Sequence, residues 1–257
     1  MSFEVHADAY GRFMGRYSEP LAERFAALAG VAAGQRALDV GCGTGALTAE
    51  LVARLGAASV SAVDPSESFV AVVRERFPAA DVRAGTAERL PYGDKAFDLT
   101  LAQLVVHFMA DPVAGLREMA RVTRPGGVVA ASVWDHAGGG GPLAVFWRAA
   151  LELDPQARDE SGLAGAREGH LAELFAAAGL TAIEPSELSV RTTFADFAEW
   201  WEPFTLGVGP AGDYVRTLDD PRREALREHC ATRLPGTGPI EITATAWTVV
   251  ARTVSPG

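Results

Sequence analysis

The segment Ala37-Leu38-Asp39-Val40-Gly41-Cys42-Gly43-Thr44-Gly45 restricts the fold more than any other stretch of the chain. A short apolar run stops at Gly41, and Leu47, Leu51 and Leu55 then recur at the spacing of one helix face. The segment therefore reads as a strand, a tight turn and a helix. Glycines in the turn permit positive φ and remove the Cβ atoms that would hold a ligand away from the backbone. The next apolar run, Val60–Val63, ends at Asp64. An acid at that position accepts hydrogen bonds from ribose hydroxyls in nucleotide-binding β-α-β units.

The same rhythm continues. Ser66 is placed to cap a helix whose inner face carries Phe69, Val72, Val73 and Phe77, and Pro78 ends it. Strands are expected near Asp81–Ala84, at Phe97–Ala102 and at Val128–Trp134. A helix marked by Val113, Leu116 and Met119 precedes the last of these, and Pro125-Gly126-Gly127 is expected to turn the chain into it. Repeated β-α-β units imply a parallel sheet with helices on both faces. In such sheets ligands bind at the carboxyl ends of the strands. Residues 1–136 are thus expected to form a cofactor-binding core with an N-terminal lid, and 137–194 to complete it after a flexible joint of four glycines. Helices are expected at Leu143–Leu151 and within 167–179, and a strand around Leu188, Val190 and Thr192. Residues 195–239 read as an insertion, with a glycine-rich loop at Gly207–Gly212 and a helix opening at Asp220-Pro221. Residues 240–257 read as a last strand and tail.

Composition removes several classes of function. A net charge of -10 disfavours a nucleic-acid partner, and the nearest basic group, Arg222, Arg223 and Arg227, is interleaved with Glu224 and Glu228. Cys42 and Cys230 are too few for a zinc quartet or a disulfide framework, so no metal is expected. No stretch approaches the length of a membrane span, and the N-terminus lacks the apolar run of a signal peptide. The expected setting is a reducing cytoplasm. Oligomeric state is left open.

The glycines alone admit two readings. Gly41, Gly43 and Ala46 fit the dinucleotide pattern, so a nicotinamide-dependent oxidoreductase competes. Against it, the third glycine is Gly45, one position early, and Asp39 precedes Gly41 where it can organise the loop amides around an amino-acid moiety. The motifs LDVGCGTG, VDPS, GTAERLPYGDKAFDLTLAQLVVHF and LREMARVTRPGGVVAASVWD together resemble the class I S-adenosylmethionine-dependent methyltransferases of the methyltransferase-11 and ubiquinone/menaquinone-methyltransferase-like small-molecule group, over about residues 8–134. The resemblance implies an α/β, doubly wound, Rossmann-like fold with a seven-stranded, mostly parallel sheet and a small lid. Ile240–Val250 would be its antiparallel strand. It implies S-adenosyl-L-methionine as cofactor, with Gly41, Gly43 and Gly45 around the methionine part and ribose, and Asp64-Pro65 at the ribose hydroxyls. Thr86 and Ala87 would meet the adenine edge, and Gln103 the methionine amine. Many relatives carry Asp where this chain has Thr86. Tyr10 and Arg16 match the lid, where Tyr10 would cover the sulfonium and Arg16 bind the carboxylate.

The acceptor side is less constrained. Trp134, Trp200, Trp201 and Phe204 are the expected walls of a pocket for a small, largely apolar acceptor. Adjacent tryptophans are expected to face different ways, so at least one should face the pocket or an interface. His107, at the mouth of the fourth strand, is the candidate general base, with Asp135 and His136 nearby. Two other functions stay open beside methyl transfer and the nicotinamide alternative. One is an S-adenosylmethionine-binding protein without methyl transfer, and the other is a cofactor-dependent rearrangement.

Overall fold

The computed structural model describes residues 14–254. Seven strands form one sheet: β1 (Ala37–Val40), β2 (Val60–Asp64), β3 (Asp81–Ala84), β4 (Phe97–Gln103), β5 (Thr123–Trp134), β6 (Thr181–Phe194) and β7 (Ile240–Arg252). Their order across the sheet is β3-β2-β1-β4-β5-β7-β6. The first five run parallel, and β7 lies antiparallel between β5 and β6. This is the expected doubly wound, mostly parallel sheet. Its order differs from the six-strand dinucleotide arrangement of 3-2-1-4-5-6, and so it disfavours the nicotinamide reading.

Helices cover both faces, which explains why β1 and β2 are buried along their whole length. On one face α1 (Arg16–Leu28) and α2 (Ala46–Leu55) pack Phe25, Leu47 and Leu51 against Leu99 and Leu101 of β4. On the other, α4 (Pro112–Val122) and α6 (His170–Ala177) supply Leu116, Met119, Leu171 and Phe175. Local chemistry sets the helix starts. The Ser66 hydroxyl accepts from Phe69 N–H at the head of α3 (Glu67–Arg76), and the Asp111 carboxylate accepts from Ala114 N–H just ahead of Pro112. Among the described residues no helix is long and apolar enough to cross a membrane.

Three expectations change. Pro125-Gly126-Gly127 is not a turn before β5 but an irregularity within it: Phe97 pairs with Thr123 and Leu99 with Val128, so Arg124–Gly127 loop out opposite Asp98. The expected loop at Gly207–Gly212 is largely the first turn of α8 (Gly209–Thr217), where Pro210 falls in the position proline favours. The glycines after β5 are not a free joint. Asp135 accepts from Gly138 N–H at 2.8 Å and Gly140 N–H at 3.2 Å. A Cβ at Gly138 would stand 2.5 Å from that carboxylate, so glycine is what lets the loop wrap it. The segment 195–239 is helical, with α7 (Phe197–Trp201), α8 and α9 (Asp220–Ala231), and α5 (Ala144–Leu153) packs beside it.

Candidate functional site

Strand order reverses between β1 and β4, and a cavity of about 920 Å³ opens at their carboxyl ends. The β1–α2 turn forms its floor. Gly41, Gly43 and Gly45 all have positive φ. At Gly41 a Cβ would also lie 2.5 Å from the Val105 side chain, so the site demands glycine twice over. Gly45 caps α2 against Val73 and does not reach the cavity surface. Its role is to aim the turn.

Asp64 holds this floor in shape. One carboxylate oxygen accepts from Gly43 N–H and the other from Ser66 N–H, each at 2.9 Å. Burial raises its pKa, and the two amides oppose that shift. Asp39 is fully enclosed beneath the turn, and the Thr48 hydroxyl donates to it at 2.6 Å. Burial pushes it up to about 7; the Thr48 bond opposes the shift and the Asp64 charge adds to it. Gln103 donates through Nε2 to the Ser18 carbonyl at 2.8 Å, while its Oε1 is buried with no hydrogen-bond partner. An acceptor oxygen left over on a cavity wall is matched by a ligand N–H. Pro65, Thr86 and Ala87 line the same cavity, with Thr86 exposed and Ala87 buried.

The structure therefore brings Asp39, Gly41, Gly43, Asp64, Pro65, Thr86, Ala87 and Gln103 together. Tyr10 lies outside the described residues. Arg16 is not on the cavity: its guanidinium pairs with Glu199 and stands over the Phe194 ring at 5.2 Å. In this arrangement its charge is already satisfied, so the structure gives no support to its contact with a cofactor carboxylate.

The four expected acceptor walls are placed elsewhere as well. Trp134, Trp200 and Phe204 are 2% exposed and Trp201 is 6% exposed, and none lines the cavity. Phe204 stacks on Phe146 with centroids 4.5 Å apart, Trp200 and Trp201 both pack on Phe204, and Trp134 meets Tyr17 edge-on. Both adjacent tryptophans share one cluster because α7 is short and the following turn folds Phe204 back over it. His107 is buried behind Phe108, 3.9 Å between ring centroids, and Phe108 rather than His107 meets the cavity. Burial, with a smaller effect of His136, pushes His107 down to about 3, so it is neutral at pH 7. Its Nδ1 has no partner. Sequence reasoning missed the apolar part of the lining, Leu104, Val105, Phe108 and Met109. Its signal was the uninterrupted apolar run on either side of His107.

Among the described residues no group of His, Cys, Asp and Glu is arranged to hold a metal. The features that are present fit S-adenosylmethionine: a glycine floor that a Cβ would fill, a carboxylate at the end of β2, and a free amide oxygen at the end of β4.

Comparison with known proteins agrees. Residues 38–131 match the family described as methyltransferase domain. Demethylmenaquinone methyltransferase of a Mycobacterium species is 46% identical over 100 residues, 38% of this chain and 41% of that protein. Malonyl-[acyl-carrier protein] O-methyltransferase of Serratia marcescens is 35% identical over 129 residues, 48% of this chain and 50% of that protein. The chain thus spans about half or less of these curated relatives. The solved structure of Haemonchus contortus phosphoethanolamine N-methyltransferase 2, in complex with phosphomonomethylethanolamine and S-adenosylhomocysteine, superposes with a TM-score of 0.59 at 15% identity. It covers 97% of this chain and 57% of that one, a likeness of fold. The fold and the segment 38–131 are those of a class I S-adenosylmethionine-dependent methyltransferase domain.

Proposed function

We propose that the chain transfers a methyl group from S-adenosylmethionine to a small, largely apolar acceptor by in-line displacement. The observation that carries this reading is one cavity with two linings. Glycine backbone and carboxylates form one part, and Leu104, Val105, Phe108 and Met109 form the other. The names of the relatives point to different acceptors, so the acceptor class is read from the cavity.

S-adenosylmethionine supplies an activated methyl group when bound. The chain has to hold it, align the acceptor and exclude water. Asp64 is placed to take ribose hydroxyls while keeping the floor in shape. Gln103 Oε1 and Asp39 present acceptors suited to an ammonium group. Pro65, Thr86 and Ala87 form the far wall, where a base edge fits. The apolar lining dries the acceptor end. His107 backs that wall, and with its pKa near 3 it is a weak base, which favours catalysis by alignment over proton abstraction.

Phe108→Ala tests the division of the cavity. We expect acceptor-dependent release of S-adenosylhomocysteine in the wild type, measured over a panel of small aromatic and aliphatic hydroxyl and amine compounds. The variant should raise the acceptor KM and leave S-adenosylhomocysteine affinity within about twofold. Tight S-adenosylhomocysteine binding with no turnover on any acceptor would favour a binding protein instead.

A further inference from the structure

A second cavity, of about 370 Å³, lies beneath the loop that follows β5, and it shares no lining residue with the first. Asp135 and His136 form one wall, Trp147 and Arg148 of α5 another, and Asp159 and Glu160 a third. Asp135 uses both of its oxygens locally, and the less buried Asp159 uses one. Asp135 accepts from Gly138 N–H, Gly140 N–H and the Trp247 indole N–H, the last at 3.1 Å. Asp159 accepts from the N–H and hydroxyl of Ser161.

Glu160 differs. It is 5% exposed, and its Oε2 accepts from the Trp147 indole N–H at 2.8 Å. Its Oε1 takes no hydrogen bond from any described residue. That oxygen is reached from the cavity rather than sealed in, so it stands free to accept from a donor or cation that enters. Arg148 is exposed at the rim and makes no ion pair among the described residues. His136 Nε2 is buried without a partner, and burial pushes that imidazole down to about 4, so it adds no positive charge at pH 7. The lining thus sets three carboxylates against one guanidinium. No metal-holding group is present among the described residues, and the size suits a small organic molecule.

We propose that this cavity binds the ammonium group of a small organic amine, with the free oxygen of Glu160 as its anchor and the Trp147 indole holding that carboxylate in place. The indole also offers an aromatic surface to the cation. The site stands apart from the methyl-transfer cavity behind a file of three rings. Phe108 lines the first cavity, His107 lies 3.9 Å behind it, and His136, 5.8 Å further on, lines the second.

Calorimetric titration of the full chain with benzylamine, benzyl alcohol and benzoate tests this without reference to methyl transfer. Benzylamine should saturate one site in the wild type, and benzyl alcohol and benzoate should not. Glu160→Gln keeps an acceptor for Trp147 and removes the charge, and should weaken benzylamine at least about tenfold. A second arm uses the wild type alone. Burial raises Glu160 to about 7, the Trp147 bond opposes the shift and the Asp159 charge adds to it. The other charged or titratable groups on the lining are Asp135, Arg148 and His136, and His136 is already neutral. Benzylamine affinity should therefore fall from about pH 8 to about pH 6 as Glu160 takes up a proton. No saturable benzylamine binding, equal binding of benzyl alcohol, preference for benzoate, a flat pH profile, or full affinity in a folded Glu160→Gln would each overturn the proposal.

Discussion

Asp64 ends β2 and Asp39 lies one residue before the end of the adjacent parallel β1, yet their surroundings differ. Asp64 spends both oxygens on backbone amides of the loops it joins, whereas Asp39 receives one hydroxyl from Thr48 in a fully buried place. Asp39 is accordingly the group whose burial shows in solution. Its folded pKa, about 7, lies above the value of about 3.9 for an unfolded Asp. Stability from that protonated form is full below the unfolded value and is lost as pH rises through about 7. Asp39→Asn keeps an acceptor for Thr48 and carries no charge. In thermal melts of the ligand-free protein, the variant should gain on the wild type by several degrees as pH rises from about 5 to about 8. A difference that stays constant with pH would mean that Asp39 is not held protonated. That Gly41, Gly43 and Asp64 meet at one cavity was legible in the sequence because the ends of strands follow from local spacing, and Gln103 joined them through the resemblance. The second role of Asp64, clamping Gly43, was not, because it depends on how closely β1 and β2 bring their loops together.

At the scale of elements, α1 and α7 were the least legible. The register Tyr17, Leu21, Phe25 marks α1 as amphipathic, but the resemblance to a lid drew attention to Arg16 instead, which faces Glu199. In α7 composition shows aromatic residues without saying what they touch. Phe204, Phe146, Trp200 and Trp201 close on one another, within a core that the insertion shares with α1, α5 and strands β5, β6 and β7. The same uncertainty hid Asp135, whose carboxylate turns four glycines into a held loop. Phe204→Ala should therefore lose about 3–5 kcal/mol of stability, the usual cost of emptying an aromatic core position. Denaturant unfolding measures this. A loss below about 1 kcal/mol, with altered acceptor kinetics instead, would return Phe204 to the acceptor pocket.

At the scale of the molecule, the doubly wound, mostly parallel sheet was legible because repeated β-α-β units with right-handed crossovers leave few arrangements for parallel strands. The antiparallel β7 followed from the resemblance rather than from periodicity, since it pairs with β5 and β6 across long stretches of intervening chain. That topology puts the reversal point at β1 and β4, and hence the glycine floor, Asp64 and Gln103 around one cavity. The central claim is that this cavity takes S-adenosylmethionine, and calorimetric titration with S-adenosylhomocysteine tests it most directly. One saturable site is expected in the wild type, with no comparable binding of NAD and a loss of about 1.5–3 kcal/mol in a folded Asp64→Ala, the worth of a charge-assisted hydrogen bond. Wild-type affinity retained in Asp64→Ala, or NAD bound in preference to S-adenosylhomocysteine, would contradict it.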